Sequence, residues 1–258
     1  MAISQGESFR RARELYDARR SPQTTREMRQ LLTETRHETA LIHSITLVCD
    51  YINHWNDATL REVNEAANLV NQVLKANPTY FLAHYAKGFI HRARNQHRAA
   101  YRAFGEALRL QPEFARAYAQ QGEELVYLGR PAEGIKLVEE ALRRRPESVA
   151  RGMFHWIIGR AQFFMGNDAE AIKPLSLSIE EWPNLWYNRC YLIAAYAHLG
   201  DTTAATAALI DLNNVDGLAG HTLTQVLEHE IRVPASHAVV TRGRERFHDG
   251  LLLAGMPR

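Results

Sequence analysis

Twelve histidines are the first residues of this 258-residue chain whose chemistry invites a site. His84 and His91 stand seven apart, with His97 close behind. Metal donors on one helix should be spaced three or four apart, as in His-x-x-x-His, with a third group converging on them. Seven residues span two turns, about 10.5 Å of rise, too far to share one ion. Glu228-His229-Glu230 puts neighbouring side chains on different helix faces. Cys49 and Cys190 are far apart, lack ligand spacing and lie in apolar runs, so both are expected as buried, reduced thiols. The acid pairs Glu123-Glu124 and Glu139-Glu140 could in principle share proton-transfer work, but arginines near them point to solvated helix faces. The chain has no glycine-rich phosphate loop after a strand, and no Ser-x-x-Lys or Gly-x-Ser-x-Gly element. The expectation is a non-enzyme with no catalytic residues, no metal and no cofactor.

Charge and composition narrow the partners. Hydrophobic residues make up 46% and charged residues 23%, and the net charge is +2, too small for strong capture of nucleic acid. Of the 31 basic residues 27 are arginine, as expected from a GC-rich, bacterial genome. Arg143-Arg144-Arg145 ends a helix, where cations meet the negative end of the dipole, and Arg10, Arg11 and Arg13 form a second basic cluster. No run approaches the twenty apolar residues that span a bilayer, and the N-terminus is charged rather than an apolar signal core. Neither a membrane nor nucleic acid is expected as a partner, and the expected compartment is the cytoplasm.

The elements that would position any site follow from an internal period. Pro78, Pro112 and Pro146 are 34 residues apart, and Pro183 follows after 37. Gly88, Gly122 and Gly159 share that register in the first helix of each unit, and Asn95, Gly129, Gly166 and Gly200 share it at the turn. Ala100, Gly134, Ala171 and Ala205 recur early in the second helix; Phe104, Val138, Leu175 and Leu209 follow, then Ala107, Ala141, Ser178 and Leu212. One three-residue insertion between Pro146 and His155 shifts every later landmark together. Small residues let two antiparallel helices cross closely, the turn position suits a left-handed backbone, and proline opens the next unit. The residues from Phe104 onward are expected to fill the space between neighbouring pairs.

With its small residue, alanine, aromatic, alanine and proline over 34 positions, the chain resembles the tetratricopeptide repeat (TPR), best in Tyr85–Pro112 and Tyr118–Pro146. The resemblance implies an all-α fold, a right-handed superhelix (an α-α solenoid) of antiparallel pairs closed by a C-terminal capping helix pair. The expected organisation is a single solenoid over 1–258. It comprises an N-terminal pair in 1–40 (helices 7–19 and 23–34), a degenerate repeat in 41–78, regular repeats in 79–214 and capping helices in 215–258. In the degenerate repeat His54 falls where glycine belongs, while Ala66, Val70, Val73 and Pro78 keep the pattern. After Asn214 the period stops; Leu223–Glu230 reads as a helix, Val233-Pro234 breaks it, and Val239–Leu253 is an amphipathic helix that would cover the apolar end of the stack.

The segment Arg246–Pro257, together with Arg13–Arg19 and the Trp55-containing pair, also resembles the TPR region attached to bacterial class III adenylate/guanylate cyclases and to winged-helix regulators. Residues 1–40 read as a helix pair, so neither a cyclase domain nor a DNA-reading helix-turn-helix is expected in this sequence ahead of the repeats. This likeness implies a sensory or dimerisation module, so a homodimer stays open beside the scaffold reading. Such a region is expected either free-standing, which Met1 and the end at Arg258 favour, or as part of a larger cyclase or regulator.

In the TPR family the first helices of successive pairs line a concave face. Counting along them gives the expected peptide-binding residues: Tyr85, Phe89, Arg92, Arg116, Glu123, Tyr127, Trp156, Arg160, Phe163 and Tyr187. Leu82, Ala119, Val126, Cys190, Ala194 and His198 share that face. Rings and guanidinium groups together suit an extended or helical peptide, although the rings could equally be packing groups between helices. Family members that bind chaperone tails hold a C-terminal carboxylate with lysine and asparagine. Tyr85 and Phe89 stand at those sites here, so chaperone tails are not expected. The expected function is a protein-protein interaction scaffold that binds a protein or peptide partner.

Overall fold

The computed structural model describes residues 26–27, 37–53, 56–183, 185–214, 222–228 and 237–258. The N-terminal pair expected over 7–34 lies outside the described residues, apart from helical Arg26 and Glu27. His54, Trp55, His229, Glu230 and Val233-Pro234 lie outside them as well. The described helices are α1 (His37–Ile52), α2 (Leu60–Ala76), α3 (Phe81–Ala93), α4 (His97–Leu110), α5 (Ala115–Tyr127) and α6 (Pro131–Arg144). They continue as α7 (Arg151–Phe164), α8 (Asp168–Glu181), α9 (Trp186–His198), α10 (Thr202–Asn213), α11 (Leu223–Glu228) and α12 (Ala238–Leu253). There is no strand among the described residues. The chain divides into two compact units, one ending at Glu124 and one beginning at Leu125 that includes α12.

Each regular pair turns in the same way. Asn95, Gly129, Gly166 and Gly200 have φ of 59°, 78°, 81° and 73°, the left-handed values anticipated for the turn. The residue after each one donates its N–H back five positions: Gln96 to the His91 carbonyl, Arg130 to Leu125, Asn167 to Gln162 and Asp201 to Tyr196, at 2.8–3.0 Å. These bonds satisfy carbonyls that the helix end would otherwise leave open. At the far end of the second helix, Asn77, Gln111, Arg145 and Trp182 take φ of −141°, −138°, −141° and −137°. Each precedes one of the register prolines, whose ring forbids the helical conformation there.

Close crossing within pairs depends on the glycines, and here the structure corrects a detail. A Cβ on Gly88 would come within 2.4 Å of the Phe104 ring, and one on Gly159 within 2.7 Å of Leu175. Phe104 and Leu175 therefore fill the crossing inside their own pairs rather than the space between pairs. The degenerate repeat also departs from its register. Counting back 34 from Asn95 puts its turn at Arg61, but the left-handed residues are Asn56 and Asp57, with φ of 51° and 52°. Its second helix, α2, is accordingly 17 residues long, against 14 for α4. Thr59 caps α2, and Glu62 Oε2 accepts from both the Thr59 backbone N–H (2.7 Å) and its hydroxyl (2.8 Å). Those two bonds, the backbone one foremost, pull the Glu62 carboxyl down to about 2. Ala66, Val70 and Val73 are buried, in keeping with the rest of that repeat's pattern.

In the second unit, α7 packs on α6 and α8, and α9 on α8 and α10. Helix α12 lies against α9 and α7, the first helices of two pairs. Periodicity locates this amphipathic helix but does not say which surface its apolar side meets. The last second helix, α10, buries only Ala205 and Leu212, and Ile210 on it is 57% exposed.

Candidate functional site

The expected site residues fall into two groups. In the first unit Tyr85, Phe89, Arg92 and Glu123 come together. The rings of Tyr85 and Phe89 meet edge-on at 5.1 Å, and both meet Phe104 at 5.5 Å. The Arg92 guanidinium lies 5.3 Å from the Phe89 centroid and 5.5 Å from that of Phe104. Its Nη1 is 2.7 Å from Glu123 Oε2 and donates to Gln120 Oε1 at 2.6 Å, and its Nε donates to Glu124 Oε1. His97 Nδ1 pairs with the second oxygen of Glu124 at 2.8 Å.

Arg92, His97, Gln120, Glu123 and Glu124 are all buried. This overturns the expectation that Glu123-Glu124 is a solvated acid pair. Both carboxylates neutralise a cation that the α3–α4 rings enclose, as buried charges require. Glu139 and Glu140 behave as expected, the latter pairing with Arg143 and Arg144 at the helix end. Two of the histidines singled out for spacing serve separate local partners: His84 Nε2 meets the Pro78 carbonyl at 2.8 Å, and His91 Nδ1 meets Gln96 Oε1 at 2.6 Å. No three metal-binding side chains converge among the described residues.

In the second unit Tyr127, Trp156, Arg160, Phe163 and Tyr187 gather around α7 and α9. Arg160 Nη1 donates to the Tyr127 hydroxyl at 3.1 Å, and its guanidinium lies 5.1 Å from both the Tyr127 and Trp156 rings. Trp156 meets Tyr187 at 5.1 Å and Tyr191 at 5.2 Å; Phe163 also meets Tyr191 at 5.2 Å. Of the ten expected residues, Arg116 on α5 and Tyr187 on α9 are half-buried and the other eight are buried. Most of the side chains that counting selects are in contact with one another in this chain. Cys49 and Cys190 are buried free thiols, and burial pushes the Cys190 thiol up.

Helix α12 adds groups that counting along the first helices missed. Phe247 is buried and stacks on Tyr191, with centroids 4.2 Å apart and planes at 21°. Arg246 donates to Asp168 Oδ2 at 2.6 Å, and its guanidinium lies 5.5 Å from the Phe163 centroid. The Arg246 carbonyl meets His198 Nε2 at 2.7 Å. A Cβ on Gly243 would come within 2.3 Å of the Phe164 ring, and one on Gly250 within 2.6 Å of Ala194 Cβ. The helix therefore lays its backbone against the Phe164 ring of α7 and against the backbone of α9 at Ala194. Three residues that counting placed on the ligand face, Phe163, Ala194 and His198, touch it. The Gly243, Phe247 and Gly250 spacing was the available signal, since 4 and 3 residues keep all of them on one face.

The fold is an α-α solenoid of tetratricopeptide-type helix pairs. The sequence matches no family model and none of the curated proteins. Solved TPR-type structures resemble it at low identity. The type IV pilus biogenesis factor PilW has a TM-score of 0.60 at 17% identity, covering 82% of this chain and 87% of that one. The pilF product of Pseudomonas aeruginosa has a TM-score of 0.58 at 16% identity, covering 84% and 90%. The TPR protein TTC0263 of Thermus thermophilus has a TM-score of 0.58 at 15% identity, covering 74% and 98%. No helix among the described residues is long and apolar enough to cross a membrane.

Proposed function

We propose that this chain is a non-catalytic interaction scaffold whose first-helix face binds a peptide or helix of a partner protein. The observation that carries the reading is the seat of α12. Helices α7 and α9 hold a helix across them through close-packed glycines and a ring stack, and Asp168 at the start of α8 adds a charge-assisted hydrogen bond. A face with that relief and chemistry suits another protein's helix. Within that unit the half-buried Tyr187 is more accessible to a partner than the buried Trp156 and Arg160.

Affinity capture from the source cell with wild-type and Tyr187→Ala chains tests this. Proteins held by wild type should be lost from the variant. Unchanged recovery, with helicity intact by circular dichroism, would reject the face.

The C-terminal segment favours a second reading. Phe247, Gly250, Leu251 and Met256, within the stretch resembling cyclase-associated TPR regions, are among the residues that α12 and its tail bury. On that reading the chain is a sensory or dimerisation module for a cyclase or transcription regulator. An adjacent or fused cyclase or winged-helix gene, with concentration-dependent light scattering, would favour it; neither being found would set it aside.

A further inference from the structure

We infer that α12 is a resident, displaceable occupant of the ligand face formed by α7 and α9. The partner it excludes is a protein helix of the same chemistry: a small residue, an aromatic four positions later, a second small residue three beyond that, and an arginine directly before the aromatic. The inference rests on the scaffold reading above and deepens it.

Three features separate an occupant from a plain end cap. The first is location. A cap would be needed on α10, whose Ile210 is 57% exposed, as is Leu199 before it at 49%. Helix α12 instead covers the face of first helices, touching Phe163, Ala194 and His198.

The second is the make-up of the contact. α12 buries just three large apolar side chains, Val240, Phe247 and Leu251, beside the glycines Gly243 and Gly250. Specificity comes from one ring in an aromatic slot and one guanidinium. Phe247 stacks on Tyr191, and Arg246 reaches Asp168 at 2.6 Å while lying over Phe163. An anchor ring flanked by small residues with one charged clamp is the pattern of a helix laid in a groove.

The third is the helix itself. Two interior glycines weaken a 16-residue helix, so α12 depends on its seat to stay helical. Thr241, Arg242, Glu245 and Asp249 on its outward side are exposed and polar, Leu253 at its end is already 66% exposed, and the large apolar side chains that α12 uncovers on leaving are Val240, Phe247 and Leu251.

The test uses the full-length chain and a fluorescein-labelled synthetic peptide of residues 236–258 as probe. Wild type should bind the peptide weakly because its own α12 holds the seat. Gly250→Leu, whose side chain runs into Ala194, should release the resident helix and bind the peptide at least tenfold more tightly. Adding Asp168→Arg to that variant should abolish binding, and an Arg246→Glu peptide should restore it. Equal affinity of wild type and Gly250→Leu, or no charge-swap rescue, would overturn the proposal. Should Gly250→Leu fail to fold, hydrogen exchange of wild type decides. Amides of α12 should exchange at least tenfold faster than those of α7 and α9, whereas exchange of α12 only together with them would overturn the idea. Cellular partners lost from Tyr187→Ala but held equally by wild type and Gly250→Leu would end the resident-helix inference and leave the scaffold reading standing. Loss of neither would end both.

Discussion

The first-helix residues of the two units look alike in sequence, each mixing rings with arginine, yet the structure finishes them differently. In the first unit the face around α3 is closed by side chains of its own helices. Phe89 and Phe104, with Tyr85 packed on both, lie against Arg92, and Glu123, Glu124 and Gln120 satisfy it. In the second unit the face of α7 and α9 is finished by a helix from elsewhere in the chain, through Phe247 and Arg246. A face closed by its own side chains cannot be vacated without unfolding. One closed by a separate helix can.

The contrast is most exposed to a change at Glu124. Its two oxygens serve Arg92 and His97, and it is fully buried. Glu124→Ala should cost about 3–5 kcal/mol, because it strands a buried guanidinium that had two carboxylates. Urea unfolding checks this. A loss under about 1 kcal/mol, typical of exposed ion pairs, would break the claim that this face is sealed.

A glycine in each unit gives a paired test of smaller size. Gly88→Val pushes a side chain into the Phe104 ring at the α3–α4 crossing, and overpacking of that kind costs about 1–3 kcal/mol. The loss should appear in the cooperative unfolding of the unit. Gly250→Ala meets Ala194 as closely, but the strain can be relieved by α12 leaving its seat. Fast exchange of amides in Val240–Leu251, with α7 and α9 still protected, is the expected signature. If Gly250→Ala weakens α7 and α9 as well, the two faces are alike after all.

These differences mark where sequence reading stops. The turn residues, the prolines and the glycines under Phe104 and Leu175 were legible because each answers a local backbone or crossing requirement that recurs every 34 or 37 residues. The burial of Glu123-Glu124 was not, since an acid pair on an amphipathic helix looks the same whether an enclosed arginine or water faces it. Asp168 and Arg246 are 78 residues apart, and no period links them. The seat of α12 was hidden for the same reason, because its apolar stripe tells that it packs and not on what. The degenerate repeat keeps the register at Pro78 but not at its turn, because α2 is 17 residues long where α4 is 14. The Thr59-Leu-Arg-Glu62 capping box, visible in the sequence, would have started α2 correctly at Leu60.

That cap carries the smallest prediction and asks whether the sealed unit is held by its core or by its helix ends. The folded Glu62 carboxyl titrates near 2, below its usual 4.5. A carboxyl depressed on folding adds stability that is complete above about pH 4.5 and is lost as pH falls toward 2. A capping interaction is worth about 1 kcal/mol, so acidification over that window should remove about that much from the start of α2. Glu62→Gln should cost less than that at neutral pH, since an amide oxygen can still accept from the Thr59 N–H, and should flatten the pH dependence. Thermal unfolding of wild type and Glu62→Gln at about pH 7, 4 and 2.5, spanning that titration, measures the difference. Curves that stay parallel across the window would remove Glu62 from the acid response. Convergence at low pH would locate the loss at the Thr59 cap and leave the ring and arginine core around Arg92 as what seals the first unit.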